Sequence, residues 1–567
     1  MNRHERRAQG ASPFAVAQQC QQWLSEGRAH HQAGRLPDAA ACYQSILTQD
    51  QTHAEANHLL GLIAYRYGRL DEACRLIEQA IATDARQPTF RFNLGVVRQK
   101  QGRLEEAAEA YRQAIALNPR YVEALSNLGN TLRDLGQYAA ADEQYRLALS
   151  QATIGRGSPA ATLADLHNNR GVVLRELGRD SDAEAEYREA LRNKVTHVEA
   201  ANNLGLLLMD AGRYAEARTA FETAQAAAPG QWKSHYHLGL LTIWEGHGDD
   251  ACRHLDRAAR LKHDHGGTVR PGRVSRARLK HDEEQLAYLQ RQGLLAPEWS
   301  TYATSLRSVR AAADATFPND TWVSLAPEDA DALHPSWNRV VYPSAAPRLD
   351  GPAVNPDLDV EEIERRWLAQ QPELITVDQL LTPAALTAMR RFCWEATIWK
   401  KEYDNGYLGA FIGDGFATPL LFQIAEELRL RFPRIFGQHR LTQSWSFKHD
   451  SARRGLGMHA DAAAVNVNFW VTPDEANRNP ETGGLLVWDK EAPADWNFRA
   501  YNSQQNRAKI DEFLRASGAN MVRVPYRCNR AVIFNSDLFH ETDDVSFEDS
   551  YCTRRINITL LYGFRGK

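Results

Sequence analysis

Asn93-Leu94-Gly95-Val96-Val97-Arg98-Gln99-Lys100-Gln101-Gly102-Arg103-Leu104-Glu105-Glu106-Ala107-Ala108-Glu109-Ala110-Tyr111-Arg112-Gln113-Ala114 carries the landmarks of one period of a pattern that fills the first part of this 567-residue chain. Its landmarks are Gly95, Gly102, Ala107, Tyr111 and Ala114. The first recurs at a spacing of 34 residues, as Gly27, Gly61, Gly95 and Gly129 and again as Gly171, Gly205 and Gly239. The slot of Gly102 is glycine in every period, from Gly34 to Gly246, and that of Ala107 is always alanine. The slot of Tyr111 is always bulky: Tyr43, Ile77, Tyr145, Tyr187, Phe221 and Leu255. Self-similarity at such a period marks a stack of identical supersecondary units. The spacing predicts helical hairpins. The first glycine lets helix A approach its partner, and the second ends helix A in the left-handed region. Extra residues between Gly129 and Gly171 fall near Ile154-Gly155-Arg156-Gly157-Ser158-Pro159, which reads as a loop between hairpins.

This pattern resembles the tetratricopeptide repeat over residues 20–262, in seven copies, after a charged tail at 1–19. The resemblance implies a concave groove that binds a protein or peptide. Asn93, Asn127, Asn169 and Asn203 sit two residues before a first glycine, at the helix-A position that lines such a groove. An amide there can pair with both N–H and C=O of an extended backbone. The alternative is that asparagine at this position serves only the local structure of the repeat.

Composition bounds the rest. The net charge is −4, from 67 basic and 71 acidic residues, without the basic surplus of a nucleic-acid binder. No apolar run approaches membrane-spanning length. The start, Met1 to Arg7, is charged and no apolar stretch follows it, so no secretory signal is expected. Seven scattered cysteines without a C-x-x-C pair read as reduced thiols, hence a cytoplasmic location. Neither nucleic acid nor membrane is expected as a partner.

Beyond Lys262 the periodicity fails. Residues 263–358 read as a linker: a glycine-rich basic stretch (264–278), an amphipathic segment (279–292) expected to cap the last repeat, and a poorly defined piece with a short strand at Arg339 to Tyr342. From 359 to 567 helical patterns at 359–370, 383–396 (with Thr382 as its cap) and 417–432 give way to short strands. The strands are Tyr407 to Phe411, Leu441 to His449, Val465 to Val471, Leu485 to Trp488, Met521 to Tyr526, Ala531 to Phe534 and Ile556 to Tyr562.

His459-Ala460-Asp461 and a later His540 lie within this β region. Two imidazoles and one carboxylate on one face of a metal, with open positions left over, suit non-haem Fe(II). The i, i+2 spacing lets His459 and Asp461 leave the same side of an extended segment. The H-x-D pattern alone says little, because His247-Gly248-Asp249 and His254-Leu255-Asp256 repeat it inside the seventh hairpin. Context separates His459. It follows the turn glycines Gly455 and Gly457 and precedes Gly483-Gly484-Leu485-Leu486-Val487, the run Asn529 to Phe534 before His540, and the closing stretch Arg554 to Leu560.

That ordered set resembles the Fe(II)/2-oxoglutarate-dependent dioxygenases, in their prolyl-hydroxylase-like branch, over about 375–567. The resemblance implies a multidomain chain: an all-α repeat solenoid followed by an α+β domain with a double-stranded β-helix (jelly-roll) core. It implies Fe(II) on His459, Asp461 and His540, with O2 and 2-oxoglutarate as cosubstrates. Arg555 would pair with the distal carboxylate, and Asn557 and Thr559, alternating onto the same face, would complete the pocket. Arg554 would point the other way. Beyond the metal ligands no catalytic residue is assigned.

Two features depart from the branch: a long, acidic interval from His540 to Arg555, and an insertion at 489–520 containing Trp496, Asn497, Tyr501, Gln504 and Gln505 that reads as a lid. His449-Asp450 reads as a strand end, in solvent or behind the metal ligands. The function expected is hydroxylation of a proline, aspartate or asparagine side chain in a protein held by the groove; Asp461, a ligand that halogenases of the family lack, favours hydroxylation over halogenation. The alternatives are a small-molecule oxygenase with repeats for assembly, or a non-catalytic adaptor with a vestigial jelly roll.

Overall fold

A computed structural model describes residues 13–154, 159–264, 271–317, 320–334, 336–437, 439–450, 457–493, 496, 501–502 and 506–564. The start of the charged tail, the Gly155–Ser158 insertion, Gly266, Gly267, Arg270, Gly455, Asn497, Gln504 and Gln505 lie outside these residues. The chain divides into two compact units, Met1–Ala227 and Ala228–Lys567.

The first unit is a stack of six helical hairpins, beginning with Pro13–Gln32 and Leu36–Gln49 and ending with Val198–Asp210 and Tyr214–Ala227. Each landmark has the role its spacing predicts. Gly102 sits in the left-handed region at φ 77°, and its counterparts all do the same. At Gly171 a Cβ atom would lie 2.6 Å from Tyr187 Cε1, so the missing side chain is what lets the two helices touch. Tyr43, Tyr111, Tyr145 and Tyr187 are correspondingly buried, as are Ala107, Ala114 and Ala148.

The second unit starts with the seventh hairpin, Trp232–Glu245 and Gly248–Asp264. Its Leu240, Ile243, Ala251 and Leu255 belong to the same apolar core as Val467, Phe469, Ile558 and Leu560. Lys262 (2.5 Å) and His263 (3.1 Å) bind Asp414, and Trp244 meets Phe564 edge-on. The last repeat is thus built into the sheet-bearing unit, because its outward face is apolar and finds its cover there.

The stretch expected to be a linker is folded. Arg276–Arg291 packs on Ser300–Thr316, with Leu279, Leu286, Leu306 and Val309 between them. The first of these helices does not cap the repeats. Its Gln285 donates to the carbonyls of Trp394 and Ala396, and its buried Arg278 donates to the Lys400 carbonyl. Residues 339–342 form no strand. Val341 and Tyr342 donate to the hydroxyl of Thr397, a side chain doing what a sheet neighbour would have done.

The strands are β1 (Arg273–Ser275), β2 (Trp322–Ser324), β3 (Leu374–Val377), β4 (Lys401–Glu402), β5 (Tyr407–Phe411), β6 (Leu441–His449), β7 (Val465–Trp470), β8 (Leu485–Glu491), β9 (Met521–Val524), β10 (Ala531–Asn535), β11 (Leu538–Thr542) and β12 (Ile556–Tyr562). β1 pairs with β2. Seven strands form one antiparallel sheet in the order β3-β10-β7-β12-β6-β5-β4, and three form another, β11-β8-β9. Helices Val360–Ala369, Pro383–Glu395 and Pro419–Arg431 bury apolar faces in the core shared with the large sheet. Thr382 caps the second of them by accepting from Ala385 N.

Candidate metal centre

His459 and Asp461 lie on the connection from β6 to β7, and His540 lies on β11. An isolated antiparallel bridge joins the two histidine backbones, with N–H to O distances of 3.0 and 2.8 Å. The bridge brings the imidazoles together, ring centroids 4.3 Å apart. One ligand atom from each of His459, Asp461 and His540 lies within 4.8 Å of the others, and all three residues are buried. Among the described residues this is the one such group.

The hydrogen bonds favour coordination. His459 Nδ1 donates to the Gly457 carbonyl at 2.8 Å, and His540 Nδ1 to that of Leu538 at 3.0 Å. With the proton held on Nδ1, each Nε2 presents a lone pair to the Asp461 carboxylate, at 3.7 and 3.4 Å. Lone pairs facing an anion in a buried site call for a cation between them. Burial, aided by His540, lowers the His459 pKa to about 4, so the ring is neutral and basic at neutral pH. Burial pushes Asp461 upward, but the two histidines and the Asn466 amide outweigh it and hold the carboxylate below its ordinary range.

A chain of buried amides runs from this carboxylate to Arg555. Asn466 Nδ2 donates to Asp461 Oδ2 and Asn468 Nδ2 to Asn466 Oδ1, both at 2.7 Å. Asn468 Oδ1 accepts from Thr559 Oγ1 at 2.8 Å and from Asn557 Nδ2 at 3.3 Å, and Arg555 Nη1 donates to Asn557 Oδ1 at 3.1 Å. Strand register explains the contacts: in β12, between β6 and β7, Thr559 stands opposite Trp445 on one side and Asn468 on the other.

Arg555 is 1% exposed. It donates through Nε to the Gly483 carbonyl at 2.5 Å and through Nη2 to that of Gly484 at 3.2 Å. Among the described residues it has no ion pair. Burial draws its pKa down to about 10, which leaves it cationic at neutral pH. A buried guanidinium without a carboxylate partner is costly unless an anion completes it. A small cavity reaches Arg555, His459, Asp461 and His540, with Trp445, Leu485 and Thr542 among its walls. Arg554 points away and pairs with Glu284, as the alternation of β12 requires.

The asparagines of β7 escaped the reading of the sequence. Val465-Asn466-Val467-Asn468 alternates as a strand with one wet face does, yet Asn466 and Asn468 are 0% and 5% exposed. Their polar face lines the site. His449 is no solvent-exposed strand end: it is buried, stacks on Tyr407 and donates its backbone N–H to the Arg555 carbonyl. In the insertion, the Tyr501 carbonyl accepts from Ala460 N and Asn502 donates to Ala460 O, so these residues are tied to the one between His459 and Asp461. The acidic residues after His540 are partly paired, Glu541 with Arg507 and Asp549 with Lys280.

The ladder asparagines are placed differently from a free peptide-binding row. The Asn93 amide meets His58 Nε2 at 2.8 Å, Asn203 donates to Asn168 at 2.9 Å and Asn169 to Asn130 at 3.4 Å. Asn127 lies beside the Tyr111 hydroxyl, which donates to Gln99 Oε1 at 3.0 Å. Three of the four tie successive hairpins together. All four remain partly exposed. No helix among the described residues is long and apolar enough to cross a membrane.

Family models match the helical part: "Tetratricopeptide repeat" at residues 24–89, 121–194 and 198–231, and "TPR repeat" at 100–136. No curated protein matches the chain. Similar solved structures include YrrB, described as a TPR protein with an unusual peptide-binding site (22% identity, 33% of this chain and 93% of that one, TM-score 0.27). Others are PilF of Pseudomonas aeruginosa (23%, 38% and 93%, 0.33) and a tetratricopeptide repeat protein from Parabacteroides merdae (16%, 42% and 92%, 0.35). The chain is a tetratricopeptide-repeat protein whose helical array precedes a domain rich in antiparallel sheet.

Proposed function

We propose that the sheet domain is an Fe(II)/2-oxoglutarate-dependent dioxygenase that hydroxylates a protein or peptide recruited by the repeats. The observation that carries this reading is the juxtaposition of two buried imidazoles and a carboxylate with a buried, ion-pair-free arginine in one cavity. On this reading the two antiparallel sheets form a double-stranded β-helix with the site between them.

His459 Nε2, Asp461 and His540 Nε2 would hold the metal. Iron, O2 and 2-oxoglutarate supply the oxidising power when bound, releasing succinate and CO2. The chain's own residues position and shield. The Arg555 fork matches the distal carboxylate of the cosubstrate. Thr559 and Asn557 fix the polar side of the cavity, Asn466 orients Asp461, and Trp445 and Phe447 keep water from the reacting centre.

The test is succinate formation from 2-oxoglutarate with Fe(II), with and without candidate peptides, for the wild type and His459→Ala. Iron-dependent turnover lost in the variant is expected. A wild type that neither turns over nor binds metal leaves the adaptor reading. The engagement of Asn93, Asn169 and Asn203 by neighbouring hairpins favours a second reading, in which the repeats serve assembly and the substrate is a small molecule. Unchanged peptide stimulation after substitution of Asn127 and Asn169 would count for it.

A further inference from the structure

A second cavity, of about 340 Å3, shares His459, Asp461, Trp445 and Phe447 with the first but not Arg555. Its apolar walls are Tyr403, Phe411, Trp445, Phe447, Met458 and Leu561. Tyr403 stands edge-on to Phe447 with centroids 5.7 Å apart. Besides the metal ligands, two polar side chains among the described residues line it, Gln443 and Asn502. The Asn502 amide is committed to the Ala460 carbonyl at 2.8 Å. Gln443 lies on the face of β6 that carries Trp445 and Phe447, and its carboxamide lies beside the hydroxyl of Tyr236. Tyr236 belongs to the first helix of the seventh hairpin. Its ring lies on Gly413, where a Cβ atom would come within 2.6 Å of Cε2, so only glycine there admits the ring.

We propose that Gln443, aimed by Tyr236 of the last repeat, is the specificity-determining residue of the substrate cavity, reading a peptide amide beside an uncharged apolar side chain. A carboxamide offers two donors and an acceptor. Tyr236 uses part of that capacity and fixes the plane, leaving polar valence directed at a peptide group. Apolar walls around it penalise a charged side chain, which would lose its water with no counter-charge among the described lining residues other than Asp461, itself committed to the metal on this reading. The repeat array then contributes to recognition through a positioning residue, Tyr236, as well as through its groove.

This inference rests on the dioxygenase reading, and its test separates the two. Binding of acetyl-Gly-X-Gly-amide peptides, with X leucine, phenylalanine, aspartate or lysine, is followed on the full chain loaded with Co(II), by tryptophan fluorescence and calorimetry. The apolar peptides are expected to bind at least about tenfold tighter than the charged ones, and Gln443→Leu to lose about tenfold for the apolar set. Tyr236→Phe should weaken binding about threefold alone but add nothing in the Gln443→Leu background, whereas a mere packing role would cost the same in both. Tightest binding of the aspartyl or lysyl peptide, no binding of any, an unaffected Gln443→Leu or additive losses would each overturn the inference. Selective binding without 2-oxoglutarate turnover would sink the oxygenase reading alone, while turnover without selectivity would sink this inference alone.

Discussion

Replacing Asn466 by leucine keeps the branched outline of the side chain but deletes both of its hydrogen bonds. One is the 2.7 Å bond to Asp461 Oδ2, made to an ionised acceptor and worth about 1.5–3 kcal/mol. The other leaves the buried Asn468 donor unpaired, which costs about 1–3 kcal/mol. Asn466 is completely buried, so water cannot replace either partner, while the leucine recovers some packing. The net loss should be on the order of 3 kcal/mol of folding stability. The more telling effect is on the metal. Asp461 would lose the donor that sets its orientation, and outer-shell losses of this kind weaken metal binding about 10- to 100-fold. Urea unfolding followed by tryptophan fluorescence measures the first quantity, and Co(II) titration by visible absorbance the second. Reduced stability with Co(II) affinity within about twofold of wild type would refute the argument. The amide chain would then brace the sheet without positioning the carboxylate.

Three further outcomes are expected. Arg555→Lys keeps a cation but loses the fork, and should raise the KM for 2-oxoglutarate about tenfold or more in the succinate assay, with Co(II) binding unchanged. Gly171→Ala drives a methyl group into the buried Tyr187 ring and should cost about 1–3 kcal/mol, read as a lower urea midpoint; an unchanged midpoint would mean the hairpin can open without penalty. His58, stacked near Phe90 with ring centroids 4.5 Å apart, has its pKa pulled by burial to about 4, against about 6.5 when unfolded. The unfolded chain therefore binds more protons between these values, so stability is lost as pH falls from about 6.5 towards 4. The loss should be roughly 2–3 kcal/mol by pH 4.5, and urea unfolding of His58→Gln beside wild type should show it abolished in the variant.

The repeats were legible because their period is enforced by contact. A glycine facing a tyrosine and a glycine at positive φ tolerate little else, so the pattern survives in the letters. The clustering of His459, Asp461 and His540 was legible through context: the turn before His459, the Gly483-Gly484 pair and the closing strand. What stayed hidden depended on direction. Asn466 and Asn468 alternate with valines as a solvent face would, and no local cue says that the polar side of β7 looks inward. The amphipathic helix Arg276–Arg291 was legible as a helix, but its partner was not, because an apolar stripe does not say which surface covers it. Gly483-Gly484 gained a reason only from the structure: their carbonyls receive Arg555, and at Gly484 a Cβ atom would strike the Val524 carbonyl at 1.9 Å.

The seventh hairpin shares its core with the large sheet, and this sets where the chain can be cut and spliced. A fragment beginning at 263 would strip Leu240, Ile243, Ala251 and Leu255 from beneath the sheet and leave Asp414 without Lys262. A fragment beginning near 228 keeps them. The hairpins before that point form a compact unit of their own, so whole 34-residue modules can be gained, lost or exchanged there without removing the residues that share the sheet's core. The last repeat thereby works as a fixed adapter, on which arrays of different length and preference can be mounted.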